Sequence, residues 1–207
     1  KSELLNRATQ GAYAPGSVFK IVTALEYIRE NRAYNKYSYE CAGEITYDGT
    51  TIHCAKNTVH GVEDLKTAFA NSCNAAFSDI GLSLSINSYR DTAEDLLFNS
   101  KLPSLLPYSQ SKFVLNRKSD SAEIMMTAMG QGKTQVSPYH MALITSAVAN
   151  GGVVMEPYLV DEIVNYTGER VTKHFPNSYK RLMSSSEAAQ LKEYMTEVVA
   201  SGTGYAL

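Results

Sequence analysis

The sequence has 207 residues, a length that suits one domain or one and a half. Its formal net charge is −2 and no basic stripe runs along it, which argues against nucleic acid as a partner. No apolar run approaches the ~20 residues needed to cross a bilayer and no signal peptide opens the chain, but the ends, Lys1-Ser2-Glu3 and Tyr205-Ala206-Leu207, read as cut from something longer.

The first informative stretch runs from Asn6 to Ala24, a loop that meets Pro15-Gly16 and turns into an apolar helix. The helix is expected over 16–31, with Val18, Val22, Leu25 and Ile28 recurring at helical spacing on one buried face. Glu26 and Glu30 are placed on its solvent side. Ser17 stands at the helix mouth, where free backbone N–H groups and the positive end of the dipole lie. Lys20 is three residues on, so its amine can fold back over the Ser17 hydroxyl. Among apolar neighbours a lysine loses its charge more easily, and a neutral amine beside a serine is a base beside a nucleophile. This is the content of the Ser-x-x-Lys motif. A second copy, Ser109 to Lys112, lies in a polar stretch with no helix start and is read as chance.

A hairpin region is expected over 39–56, turning at Asp48-Gly49, with strand character at Ile45–Ile52. Cys41 and Cys54 flank it, and a disulfide and two reduced thiols both remain open. A metal site would have to draw on Asp48, His53, Cys54, His60 and Cys73. Their spacings match no zinc template, so no metal ligands are expected. His60 is read as a hydrogen-bonded structural histidine and Cys73 as small buried filler.

Helical periodicity is expected from Val62 to Asn71 and again from Ala75 to Ser83, inside a region spanning 62–84. Ser72 and Asn74 fall at the junction, where side chains can be aimed into a cleft. A second Ser-x-Asn, Ser85 with Asn87, is read as the cap of the next helix, with Tyr89, Ala93, Leu96 and Leu97 inward. Asn99 to Ser121 reads as an exposed loop, and Ala122 to Met129 as core. Gly130-Gln131-Gly132-Lys133-Thr134 fails the phosphate-loop template, because Thr127 stands where its first glycine is required. A helix over 138–150 starts at Ser137-Pro138 and ends at Gly151-Gly152. A strand pair is expected over 153–175, edge-like because of Pro157. A last helix over 186–201 opens with the capping-box pattern Ser184 to Glu187.

Several of these stretches closely resemble the penicillin-binding proteins, the D,D-transpeptidases that cross-link peptidoglycan. The resemblance is carried by NRATQGAYAPGSVFKIVTA, by HGVEDLKTAFANSCNAAF and by GQGKTQVSPYHMALITSAVANGGVVMEPYLV. It covers nearly the whole chain, 1–207, as one partial transpeptidase domain of the monofunctional, class B-like kind. The fold class it implies is mainly α within an α+β family: the helical middle of the transpeptidase and serine β-lactamase-like fold, with most of the central sheet missing. The family's third motif, Lys-Thr-Gly, is expected on a strand outside these residues.

The resemblance also implies roles. Ser17 is the nucleophile, Lys20 accepts its proton, Ser72 relays a proton to the leaving group, and Asn74 binds the substrate amide. The implied ligands are the D-Ala-D-Ala stem peptide of peptidoglycan, penicillin and other β-lactams, with no metal or organic cofactor. A β-lactam sensor, a serine β-lactamase and an inactive structural fragment stay open as alternatives. The parent protein is expected outside the cytoplasm, anchored to the bacterial cell membrane. The 207 residues alone are expected to label weakly with penicillin, and a homodimer through an exposed apolar face is a possible consequence of the missing sheet.

Overall fold

The computed structural model of the chain describes residues 4–206. Asn6 accepts hydrogen bonds from the N–H groups of Ala8 and Thr9 and so starts α1 (Arg7–Gln10). Gly16, at φ +64°, then makes the sharp turn that only glycine takes easily. A 3-10 turn, Gly16–Phe19, leads directly into α2 (Lys20–Glu30). The 3-10 winding corrects one expectation. Val18 lies half exposed beside Ser17 and not on the buried face, because three residues per turn rotate it away from Val22.

Helix α2 is the centre of the molecule, buried from Lys20 to Tyr27. Its polar side chains must therefore find internal partners. Thr23 Oγ1 donates to the Ala128 carbonyl at 2.8 Å and bonds the Tyr89 hydroxyl at 2.6 Å. Glu26 is only 1% exposed and accepts from the Thr92 hydroxyl, a correction to its expected place in solvent. Burial pushes its carboxyl up to about 7. Glu30 is exposed, and its carboxylate accepts from the Ser85 N–H.

β1 (Tyr39–Cys41) precedes the hairpin of β2 (Glu44–Tyr47) and β3 (Thr50–His53). Asp48 and Gly49 both have positive φ, the tight turn that a two-residue hairpin loop requires. β4 (Gly61–Glu63) pairs antiparallel with β1, so the helix expected from Val62 starts later, as α3 (Leu65–Ala70), where Asp64 caps Thr67. α4 (Asn74–Ser83) follows, capped by Cys73, and then α5 (Ile86–Asp95), capped by Ser85.

The segment 99–121 is not simply an exposed loop. Leu102, Phe113 and Leu115 are buried, and the Phe113 ring stacks on Phe19 with centroids 6.2 Å apart. Tyr89 and Phe98 complete this aromatic cluster. α6 (Ser121–Ala128) carries the methionines into the core, and α7 (Pro138–Ala149) starts at Ser137 with Pro138 in its first turn.

The strand pair expected over 153–175 divides in two. β5 (Val153–Met155) stops before Pro157 and pairs with β8 (Ser178–Arg181), beyond the expected range. β6 (Glu162–Val164) pairs with β7 (Arg170–Lys173) as an exposed arm. α8 (Ser185–Ala200) closes the chain with the full capping box between Ser184 and Glu187. Arg29 ties α2 to α5 and α8, pairing with Asp95 at 3.0 Å and Glu187 at 2.9 Å. Among the described residues every sheet is a two-stranded antiparallel pair, so the fold is mainly helical.

Candidate active site

Lys20 is 2% exposed, yet its amine reaches the surface of a cleft. Nζ lies 2.8 Å from Ser72 Oγ, 2.8 Å from the Ser72 carbonyl, 2.9 Å from Asn74 Oδ1 and 3.3 Å from Ser17 Oγ. The Ser72 hydroxyl donates to Ser17 Oγ at 2.9 Å. Ser17, Lys20, Ser72 and Asn74 are thus one connected group built from two distant parts of the chain. Burial lowers the Lys20 amine from its ordinary 10.5 to about 8, partly opposed by the acidic groups of Cys73, Cys54 and Glu63. The Phe77 ring stands 5.5 Å from Nζ and forms part of that dry wall.

Each residue is held there by local structure. Ser17 is exposed in the 3-10 turn, at the end where backbone N–H groups are free. Ser72 sits between α3 and α4 at φ +53°, a left-handed conformation that turns its hydroxyl and its carbonyl toward the same amine. Asn74 opens α4, and its Nδ2 donates to the His53 carbonyl at 3.0 Å, tying the site to the hairpin. Behind Ser17, the Gly16 N–H donates to the Gly130 carbonyl at 2.7 Å.

The look-alike motifs go elsewhere. Ser85 caps α5, and the Asn87 amide oxygen accepts from Arg117 at 3.2 Å. The Ser109 hydroxyl donates to the Gln10 carbonyl at 2.7 Å, and Lys112 pairs through its backbone with Gln135. The sequence reading missed the far wall of the cleft. Phe69, Met195, Val198 and Thr203 line it beside Ser17 and Lys20. No motif marks these residues, because an apolar wall is made by docking α8 against α3. Thr203 is fixed by its N–H, which donates to the Ala70 carbonyl at 3.0 Å.

This arrangement occurs on a fold with known counterparts. The sequence profile described as the penicillin binding protein transpeptidase domain matches residues 1–207. Stage V sporulation protein D of Bacillus subtilis is 30% identical over 203 residues, which is 96% of this chain and 31% of that protein. The peptidoglycan D,D-transpeptidase PbpA of Mycobacterium tuberculosis is 30% identical over 199 residues, 94% of this chain and 40% of that one. The chain therefore spans only 31% to 40% of the length of these relatives. Among solved structures, the D,D-transpeptidase domain of a peptidoglycan glycosyltransferase from Eggerthella lenta superposes with a TM-score of 0.90. It is 27% identical, and the match covers 100% of this chain and 53% of that one. The ceftriaxone acyl-enzyme complex of penicillin-binding protein A from M. tuberculosis gives 0.85 at 28% identity, covering 96% and 45%. With a profile match along its whole length and a backbone that follows solved members of the group, the chain belongs to the penicillin-binding protein transpeptidase domain family.

Proposed function

We propose that the protein containing these residues is a serine-type peptidoglycan D,D-transpeptidase that β-lactams acylate at Ser17. One observation carries this reading: the buried Lys20 amine meets both serine hydroxyls and the Asn74 amide at a single point. Ser17 Oγ attacks the carbonyl of the penultimate D-Ala of a stem peptide, and its proton passes to Lys20. The direct path is 3.3 Å, and the path through Ser72 has legs of 2.9 and 2.8 Å. The Ser17 N–H supplies one donor to the developing oxyanion. As the peptide bond breaks, Ser72 passes a proton to the departing D-Ala nitrogen, leaving Ser17 as an ester. The amine of a second stem peptide then displaces Ser17 and completes the cross-link. Asn74 holds the substrate amide. A β-lactam enters the same ester by opening its ring, and chemistry on peptidoglycan puts the enzyme outside the cytoplasm, with its parent held at the cell membrane.

The naming of relatives such as PbpA as peptidoglycan D,D-transpeptidases supports this reading over a serine β-lactamase. Among the described residues that line the cleft beside Ser17 and Ser72 there is no carboxylate to activate a deacylating water. Glu26, the acid on the nucleophile helix, is turned to Thr92 and buried away from the cleft. The acyl-enzyme is therefore expected to persist.

The test is labelling of the full-length protein with a fluorescent penicillin, followed by peptide mass analysis. The label is expected on the peptide carrying Ser17, absent in Ser17→Ala, and lost over hours rather than seconds. Labelling that survives Ser17→Ala, or that maps to Ser109, overturns the assignment. Release within seconds with free penicilloate in solution would make the protein a β-lactamase.

A further inference from the structure

Beside the serine-lysine site, the fold gathers four side chains that the reaction above does not use. Cys41 ends β1, Cys54 follows β3, His60 precedes β4, and Cys73 caps α4. The three cysteines are buried and His60 is half-buried. Cys41 Sγ lies 3.6 Å from Cys54 Sγ and 3.4 Å from His60 Nδ1, and Cys54 Sγ lies 3.7 Å from Cys73 Sγ. All four donor atoms fall within 4.8 Å of one another. Tetrahedral zinc, with Zn–S near ~2.3 Å and Zn–N near ~2.0 Å, has S–S edges of about 3.8 Å and S–N edges of about 3.5 Å. The three measured edges agree with those values.

We propose that Cys41, Cys54, His60 and Cys73 form a structural Cys3His zinc site, with His60 bound through Nδ1. The donor set is soft and complete, which suits a closed four-coordinate ion. Zn2+ would displace three thiol protons into solvent and leave the cluster with a net charge of −1. Two backbone N–H groups are already aimed at the sulfurs and would support them as thiolates. The Gly43 N–H donates to Cys41 Sγ and the Ala76 N–H to Cys73 Sγ, each at 3.4 Å. Cys73 also sits at the positive end of α4, a helix of 10 residues. A disulfide would use two of the three thiols and leave the third buried beside them, whereas one ion uses all of them and His60.

The sequence expectation of no metal ligands rested on spacing, and the order here, C-x12-C-x5-H-x12-C, is indeed no standard template. The antiparallel pairing of β1 with β4 and the return of the hairpin bring the ligands together instead. The other two residues weighed for a metal are excluded. His53 pairs with Glu44 at 3.0 Å, and Asp48 accepts from Ser121. Zinc at this point would be positioning, not reacting. Cys73 stands between Ser72 and Asn74, and Cys54 follows His53, whose carbonyl holds the Asn74 amide.

The test uses the full-length protein, expressed with zinc and purified under reducing conditions without chelator. Metal analysis is expected to give one zinc ion per chain, released when p-mercuribenzoate caps the thiols. Cobalt exchange should give the visible bands of a tetrahedral ion and a charge-transfer band with the intensity of three thiolates. Cys41→Ser and His60→Ala should lower zinc affinity at least ~10-fold, while His53→Ala keeps the metal. The cobalt spectrum of the unaltered protein decides the matter even if a cysteine variant does not fold. Folded protein that takes up less than a tenth of an equivalent of zinc would overturn the proposal. So would a Cys41–Cys54 or Cys54–Cys73 disulfide in the peptide map of the reduced preparation, or Cys41→Ser and His60→Ala retaining the parent's affinity.

Discussion

The rate at which a β-lactam acylates Ser17 should follow the charge on Lys20. Burial holds that amine at about 8, so about a tenth of it is neutral at pH 7 and about nine-tenths at pH 9. If the neutral amine takes the Ser17 proton, the second-order acylation rate rises ~9-fold over this interval and then levels off. An amine left at its ordinary 10.5 would give a rate still climbing ~10-fold per pH unit at pH 9. Lys20→Arg keeps the positive charge but cannot surrender its proton. It should cost ~10²–10⁴ in rate, the usual worth of a general base, and flatten the profile. The assay is fluorescent penicillin incorporation over time, corrected for spontaneous hydrolysis of the probe at each pH. A parent profile that is flat from pH 7 to 9, or Lys20→Arg working at more than a tenth of the parent rate, would refute Lys20 as the base.

Four further outcomes are expected. His140 is fully buried, with its Nε2–H donating to the Leu96 carbonyl at 2.7 Å, and burial lowers it from 6.5 to about 4. The unfolded chain takes up that proton first, so the contribution is whole above about 6.5 and falls away toward about 4, by ~3 kcal/mol in all. His140→Gln, which keeps a donor but does not titrate, should lose less stability on acidification by that amount in urea unfolding, and parallel curves would refute this. Gly130→Ala should lower stability by ~2 kcal/mol or more and slow acylation, because φ is +89° and the new Cβ would stand 1.7 Å from the Gly16 carbonyl oxygen. Gly151→Ala, with φ +62° and open space, should cost only ~1 kcal/mol and leave acylation alone. Phe19→Ala should cost ~3–5 kcal/mol in the same unfolding assay, since the ring is fully buried against Tyr89, Phe98 and Phe113.

What the sequence made legible was local. Pro15-Gly16 marked the entry to α2, Asp48-Gly49 the hairpin turn, Ser137-Pro138 and Ser184 to Glu187 the starts of α7 and α8, and each is a backbone requirement that a few residues satisfy alone. Ser17 with Lys20, and Ser72 with Asn74, could be singled out because each pair stands at a helix boundary. What was illegible depended on partners far along the chain. Glu26 looked like a solvent residue because the Thr92 hydroxyl that receives it lies on another helix. Phe113 looked like loop because Phe19 and Tyr89 are not its neighbours in sequence. The partner of β5 lay past an edge-like Pro157, and the Cys41 cluster needed two strand pairings to exist at all.

The bond from the Gly16 N–H to the Gly130 carbonyl also bears on how the protein is made. Its two ends are 114 residues apart (130 minus 16), so the turn bearing Ser17 is emitted from the ribosome long before its brace. At ~5–20 residues per second the delay is roughly 6–23 s. In the later part of that interval, α4 and the Ser72 junction are already synthesised while the Ser17 turn has nothing behind it. Such a wide loop is slow to close, which makes the registration of Ser17 against Gly130 a late event in folding. A nascent chain halted before Gly130 would present a helix and a hairpin but an unbraced Ser17 turn.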